Sequence, residues 1–207
     1  MFKKFLLLLM DPPAFFERVR KEGWKPALIF FLEISVILSI FTAIANYLGV
    51  ESTDFSSAYQ AQILAYRILR DTLLPQYGVY AYFLEVFLIL GFAVLLLLFL
   101  TGFSHLVFRL MGGKGSILNG WKASCYGVGP CLFGGFLPFI SLFAAFYSAL
   151  LQLYIGPKTL YTVKESRAIV FLAIMLALTF IEMFARGTTA GFFSITQFYM
   201  PISTSFP

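Results

Sequence analysis

Charge is scarce in this chain: Asp, Glu, Lys and Arg make up 12% of 207 residues, about half the ~25% usual in soluble domains. With 60% hydrophobic residues, there is too little polar surface to face water, which excludes an ordinary soluble globular domain. Histidine occurs once and cysteine twice. Cys125 and Cys131 lie six positions apart within an apolar stretch, so they fit neither a disulfide framework nor zinc-ligand spacing. They are expected as small packing residues. One His offers no Ser-His-Asp arrangement and no clustered metal ligands. The run Gly112-Gly113-Lys114-Gly115-Ser116 is too short for a phosphate loop and follows no strand pattern. It reads as a flexible inner loop. No catalytic residue, metal site or cofactor emerges, and an enzyme is not expected.

What is present is a series of long apolar blocks separated by Gly, Pro and a few charges. Lipid cannot satisfy open backbone groups, so a spanning chain must be helical or a closed barrel, and these blocks lack the alternation of barrel strands. The expected fold is an all-α integral membrane protein with about five transmembrane helices plus interfacial amphipathic helices. The spans fall at about 26–48, 79–110, 121–136, 138–154 and 168–184. The second is well beyond the ~20 residues needed to cross, so it must tilt or project. Three regions result: an interfacial N-terminal segment 1–25, a membrane domain 26–190 and an uncharged aromatic tail 191–207.

The N-terminal apolar run is too short for a signal peptide, and Asp11-Pro12-Pro13 follows it without a small-residue cleavage site. Asp11 can cap a short helix whose first turn holds the two prolines, with Gly23 ending it. Phe15, Phe16 and Val19 are expected against lipid, with Arg18, Arg20 and Lys21 facing anionic headgroups. Residues 56–74 form a second amphipathic pattern, with Gln60, Arg67, Arg70 and Asp71 opposite Ala61, Ala65, Ile68 and Leu69.

The net charge of +5 sets orientation rather than nucleic-acid binding, because the positive residues flank spans instead of forming a folded patch. Of the fifteen Lys and Arg residues, only Arg67, Arg70 and Arg186 fall opposite the N-terminus. The N-terminus is therefore expected in the cytoplasm and the C-terminus outside.

Two groups of residues carry the candidate chemistry. Glu33 lies roughly 12 Å of helix beyond Lys25, at ~1.5 Å per residue, a depth at which an acid normally faces a partner. His105 lies at a similar depth on the second span, which allows a contact with Glu33, and Arg109 and Lys122 lie closer to the headgroups. These four form the candidate polar cluster or ligand site. In the third span Ala123, Gly127, Cys131 and Gly135 recur at four-residue intervals and permit close helix packing. Pro130 lacks the amide hydrogen that would bond the Tyr126 carbonyl. The result is either a packing kink or a break exposing that carbonyl to water, an ion or a partner.

The order of these features resembles the Yip family of membrane proteins, whose eukaryotic members are named for interaction with Ypt and Rab GTPases. The resemblance rests on Asp11-Pro12-Pro13-Ala14-Phe15-Phe16, on the Gly-rich loop ahead of Tyr126-Gly127-Val128-Gly129-Pro130, and on Tyr154-Ile155-Gly156 followed by Ser166-Arg167-Ala168. It implies five spans, membrane organisation or recruitment of trafficking factors, and no cofactor or enzyme chemistry. The long hydrophilic N-terminal region of eukaryotic members is not expected here; the short form resembles the archaeal or bacterial branch, and the resemblance implies a prokaryotic cytoplasmic membrane.

The expected function is a non-enzymatic scaffold or adaptor. Its partners are membrane lipids, a second copy as homo-oligomer, and a small GTPase or other membrane protein by resemblance, with no nucleic acid. The contrasting expectation is a small ion or solute transporter using Glu33 and the broken third span. Single cysteines at Ser116 and Lys164, in a Cys-free background, should react with an impermeant reagent from the cytoplasm, and one at Ser52 from outside. Opposite labelling of Ser116 and Lys164 would rule out paired third and fourth spans.

Overall fold

A computed structural model describes residues 2–48, 69–134 and 138–198. Gly135 and residues 56–68 of the second amphipathic pattern lie outside these. The chain divides into two units, Met1–Leu172 and Ala173–Pro207. All regular structure among the described residues is helical.

The chain opens with α1 (Phe2–Met10) and α2 (Pro12–Arg20). Asp11 caps α2 by accepting the Ala14 amide at 3.1 Å, and Pro12 and Pro13 occupy positions where a missing N–H costs nothing. Gly23 does not end α2. It stands instead before α3 (Trp24–Tyr47) in extended backbone. After a π-helical turn, Leu69–Leu73, and the short α4 (Leu74–Tyr77), α5 runs from Tyr80 to Leu110. Only α3 and α5, of 24 and 31 residues, are long and apolar enough among the described residues to cross a membrane. Phe87, Phe92, Leu95 and Phe99 are exposed on α5, an apolar exterior suited to hydrocarbon rather than water.

The third expected span is two helices, α6 (Ile117–Gly127) and α7 (Gly129–Gly134). The interruption is resolved within the protein. Val128 N–H bonds the carbonyls of Ser124 and Tyr126, and Cys131 N–H donates to Ser148 Oγ at 2.8 Å. Ser148 belongs to α8 (Pro138–Leu150), which continues as a π-helical turn, Leu151–Ile155, and α9 (Gly156–Leu160). Ser148 thereby satisfies an amide that the break would otherwise leave open. The last helix, α10, spans Glu165–Phe198, so described helix extends beyond the expected end at 184.

The core of the first unit contradicts one expectation. Phe15, Phe16 and Val19 are at most 1% exposed; they are buried by protein and do not face lipid. They join Phe30, Phe31, Ile34, Tyr126, Leu151 and Leu160 in one cluster. Burial of a side chain of this size contributes about 1.5–3 kcal/mol, so α2 is held by its apolar face.

Two glycines sit where helices approach closely. A Cβ on Gly156 would lie 2.9 Å from the Leu151 carbonyl oxygen and 3.3 Å from Ala123 Cβ, and one on Gly127 would collide with the Gln152 side chain. Gly127→Leu should therefore lower stability in detergent by about 1–3 kcal/mol, the usual cost of overpacking. Gly91→Leu should cost nothing, because its Cβ meets no atom within 4 Å. Equal thermal unfolding of the two variants would remove the close-packing account.

Candidate functional site

A group of polar side chains lies where α1, α2, the first half of α3 and the second half of α6 meet. Lys4 Nζ contacts both carboxylate oxygens of Glu22, at 2.9 and 2.8 Å. Tyr126 donates its hydroxyl to the same carboxylate at 3.1 Å, and Lys4 also lies 5.9 Å from the Tyr126 ring centroid. The ring stacks edge-on against Phe15 at 4.9 Å and lies 5.1 Å from Phe30. Lys122, one turn earlier on α6, is 4% exposed and donates to the Arg20 carbonyl at 2.8 Å. That carbonyl belongs to the last turn of α2, where helix geometry leaves acceptors unfilled. Tyr147 does the same for α1, donating to the carbonyls of Leu8 and Leu9 at 2.9 and 3.0 Å.

Beside this assembly Tyr161 is wholly buried. Its hydroxyl shares a 2.7 Å hydrogen bond with His105 Nδ1. The Gly-rich segment is not a flexible loop, as its composition suggested; it is closely packed around this ring. A Cβ on Gly115 would lie 2.5 Å from the Tyr161 ring, and one on Gly120 2.7 Å from its hydroxyl. The Lys114 amide donates to the Tyr161 carbonyl at 2.8 Å, and Asn119 Nδ2 donates to the Leu160 carbonyl at 2.9 Å. Thr162 follows at φ 54°, a strained conformation for a β-branched residue. Arg167 then ties the start of α10 to the end of α5 by donating to the Met111 carbonyl at 2.8 Å.

Burial pushes the Tyr161 hydroxyl up to about 12, against the opposing effects of a Gly120 backbone hydrogen bond and the Arg109 charge. Nearby, Lys158 and Glu165 form an exposed ion pair at 2.9 Å, and Tyr154 donates to Glu165 at 2.6 Å. Those contacts lower the Glu165 pKa, the Tyr154 hydrogen bond being the larger cause, and raise that of Lys158.

The expected cluster of Glu33, His105, Arg109 and Lys122 is not assembled as one site. Glu33 is exposed on α3 and has no hydrogen bond or ion pair among the described residues. His105 is engaged by Tyr161 rather than by Glu33, Lys122 by Arg20, and Arg109 is exposed. Of the packing residues, Tyr126, Gly127 and Pro130 flank the junction of α6 and α7. Lys4, Glu22 and Tyr161 had no local signal apart from the glycine spacing that makes room for the Tyr161 ring. A further pair has no local sequence signal: Asn46 Nδ2 donates to Glu85 at 2.5 Å between the end of α3 and the start of α5, and Glu85 is 4% exposed.

Apolar helices of crossing length, an apolar exterior and a polar assembly at one end define a helical membrane protein. Its family is settled by comparison: the Yip1 domain model matches residues 6–185, and the chain belongs to that family. Neither a curated protein nor a solved structure matches the chain. The motif segments meet in this part of the bundle. Phe15 packs on Tyr126, Gly156 packs against Ala123, Tyr154 bonds Glu165, and Arg167 bonds Met111.

Tyr161→Phe keeps the ring in its glycine cradle and removes the His105 hydrogen bond. It should cost about 1 kcal/mol near neutral pH, the net value of one such bond. A hydroxyl whose folded pKa is raised contributes stability below its unfolded value near 10 and loses it as pH rises toward about 12. The difference between wild type and Tyr161→Phe should therefore be constant up to about pH 10 and shrink above it. A difference that grows above pH 10 would contradict the burial of a neutral hydroxyl.

Proposed function

We propose that this Yip family member is a non-enzymatic membrane scaffold or adaptor that crosses the bilayer five times. Its N-terminus and the Tyr161 loop face the cytoplasm, and its C-terminus lies outside. In this reading α6 with α7, and α8 with the π-helical turn after it, make a paired third and fourth crossing. The first described part of α10 makes the fifth. A prokaryotic cytoplasmic membrane is the expected location. The partner is a membrane protein or, by analogy with eukaryotic members, a small GTPase, and association with a second copy uses the lipid-facing helices.

The observation that carries this reading is the commitment of the polar end to its own architecture. Lys4, Glu22, Lys122, Tyr126, His105 and Tyr161 each hold one segment of the chain against another. Such an end offers a shaped, pre-ordered surface for recognition, and pre-organisation is what lowers the cost of binding a partner. Glu33 and His105 have separate surroundings, which supplies no relay of the kind transporters use.

Purified protein in liposomes tests the choice. Ion flux should equal that of empty vesicles, and Glu33→Gln should insert and unfold like wild type. Photo-crosslinking from exposed positions at the polar end should capture discrete protein neighbours in native membranes. A selective cation flux abolished by Glu33→Gln would overturn the reading.

A further inference from the structure

Cations and acids are unequally used around the α1–α2–α3 junction. Three acids lie between Phe2 and Lys25, and two of them are engaged: Asp11 by the Ala14 amide, Glu22 by Lys4 and Tyr126. Only Glu17 remains. Lys3, Arg18, Arg20, Lys21 and Lys25 are all exposed, and no carboxylate pairs with them among the described residues. Lys25 lies 5.8 Å from the ring centroid of Trp24, which is 45% exposed in the first turn of the apolar α3. An exposed Trp with an adjacent Lys at the start of such a helix marks headgroup level. Along α1, Leu6, Leu9 and Met10 are exposed while Leu8 is buried, so α1 keeps an apolar edge for the acyl boundary that α2 no longer has.

The apolar face of α2 is already covered by protein, so α2 cannot attach to a membrane by inserting Phe15, Phe16 or Val19. That packing nevertheless fixes the helix from which Arg18 and Arg20 extend. We infer that the α1–α2–α3 junction is a binding surface for the phosphate headgroups of anionic phospholipids, centred on Arg18, Lys21 and Lys25. The recognition is electrostatic, on a prepaid arrangement of charges, with α1 supplying the adjoining apolar contact. It rests on the membrane reading but is independent of the scaffold role and of orientation.

The test uses the full chain in nanodiscs containing equal phosphatidylcholine and phosphatidylglycerol, with both leaflets alike so that orientation does not enter. Lipids retained after stepwise delipidation are counted by mass spectrometry. Phosphatidylglycerol should be enriched on wild type, and Arg18→Gln, Lys21→Gln and Lys25→Gln should each reduce the preference by up to about fivefold at low salt, the fold-change corresponding to ~1 kcal/mol per basic residue. The triple variant should unfold like wild type in phosphatidylcholine alone. Wild-type preference should also fall at about 1 M NaCl, where the screening length is ~3 Å; this readout needs no variant to fold. Equal retention of the two lipids, preference unchanged in the triple variant, or preference unchanged by salt would overturn the proposal. Equal retention together with capture of an acidic protein would assign the surface to that partner instead.

Discussion

Glu22 receives both the Lys4 ammonium and the Tyr126 hydroxyl, and the arrangement of the polar end depends on that shared carboxylate. The chain reverses at Asp11, so α1 and α2 return Lys4 to Glu22, two residues past the end of α2. Tyr126 then joins the hairpin to α6. The ion pair is partly open, with side chains 36% and 24% exposed, and pairs of that kind contribute only about 0–1 kcal/mol. The larger energy comes from the buried Phe15, Phe16 and Val19, each worth about 1.5–3 kcal/mol. The carboxylate sets register and the aromatic residues supply the stability.

A second dependence runs through Tyr161. Its ring occupies space that Gly113, Gly115 and Gly120 leave open, and its backbone pairs with Lys114. The connection between α9 and α10 is thereby fixed to the connection between α5 and α6, two segments more than forty residues apart along the chain. Both constraints act at the same part of the bundle as the family motifs. This gives those motifs a physical meaning: each is a place where one chain segment must accept another at short range.

Much of the helix layout was legible because long apolar blocks with Gly and Pro between them have few other outcomes. The limits 26–48 and 79–110 lie within a few residues of Trp24–Tyr47 and Tyr80–Leu110, and Pro130 marked the interruption between α6 and α7. What was not legible has a common cause. An amphipathic pattern identifies a face that leaves water, and it cannot say whether lipid or protein covers that face; Phe15, Phe16 and Val19 were misassigned for this reason. Glycines next to a lysine look mobile when the ring that fills the space between them lies far along the chain. Equal depth placed Glu33 near His105 on paper, yet depth leaves helix rotation open. Glu33 faces outward and His105 turns toward Tyr161.

The scaffold reading and the lipid surface both require the N-terminal hairpin to be part of the folded bundle rather than a loose interfacial strap. Amide hydrogen exchange across residues 12–20, in nanodiscs of zwitterionic lipid alone, measures this most directly. The fold described here places that segment under the same aromatic packing as α6, so its amides should exchange as slowly as those of residues 120–127 and should speed up in Phe16→Ala. Rapid exchange of residues 12–20 alongside slow exchange of residues 120–127 would contradict the account.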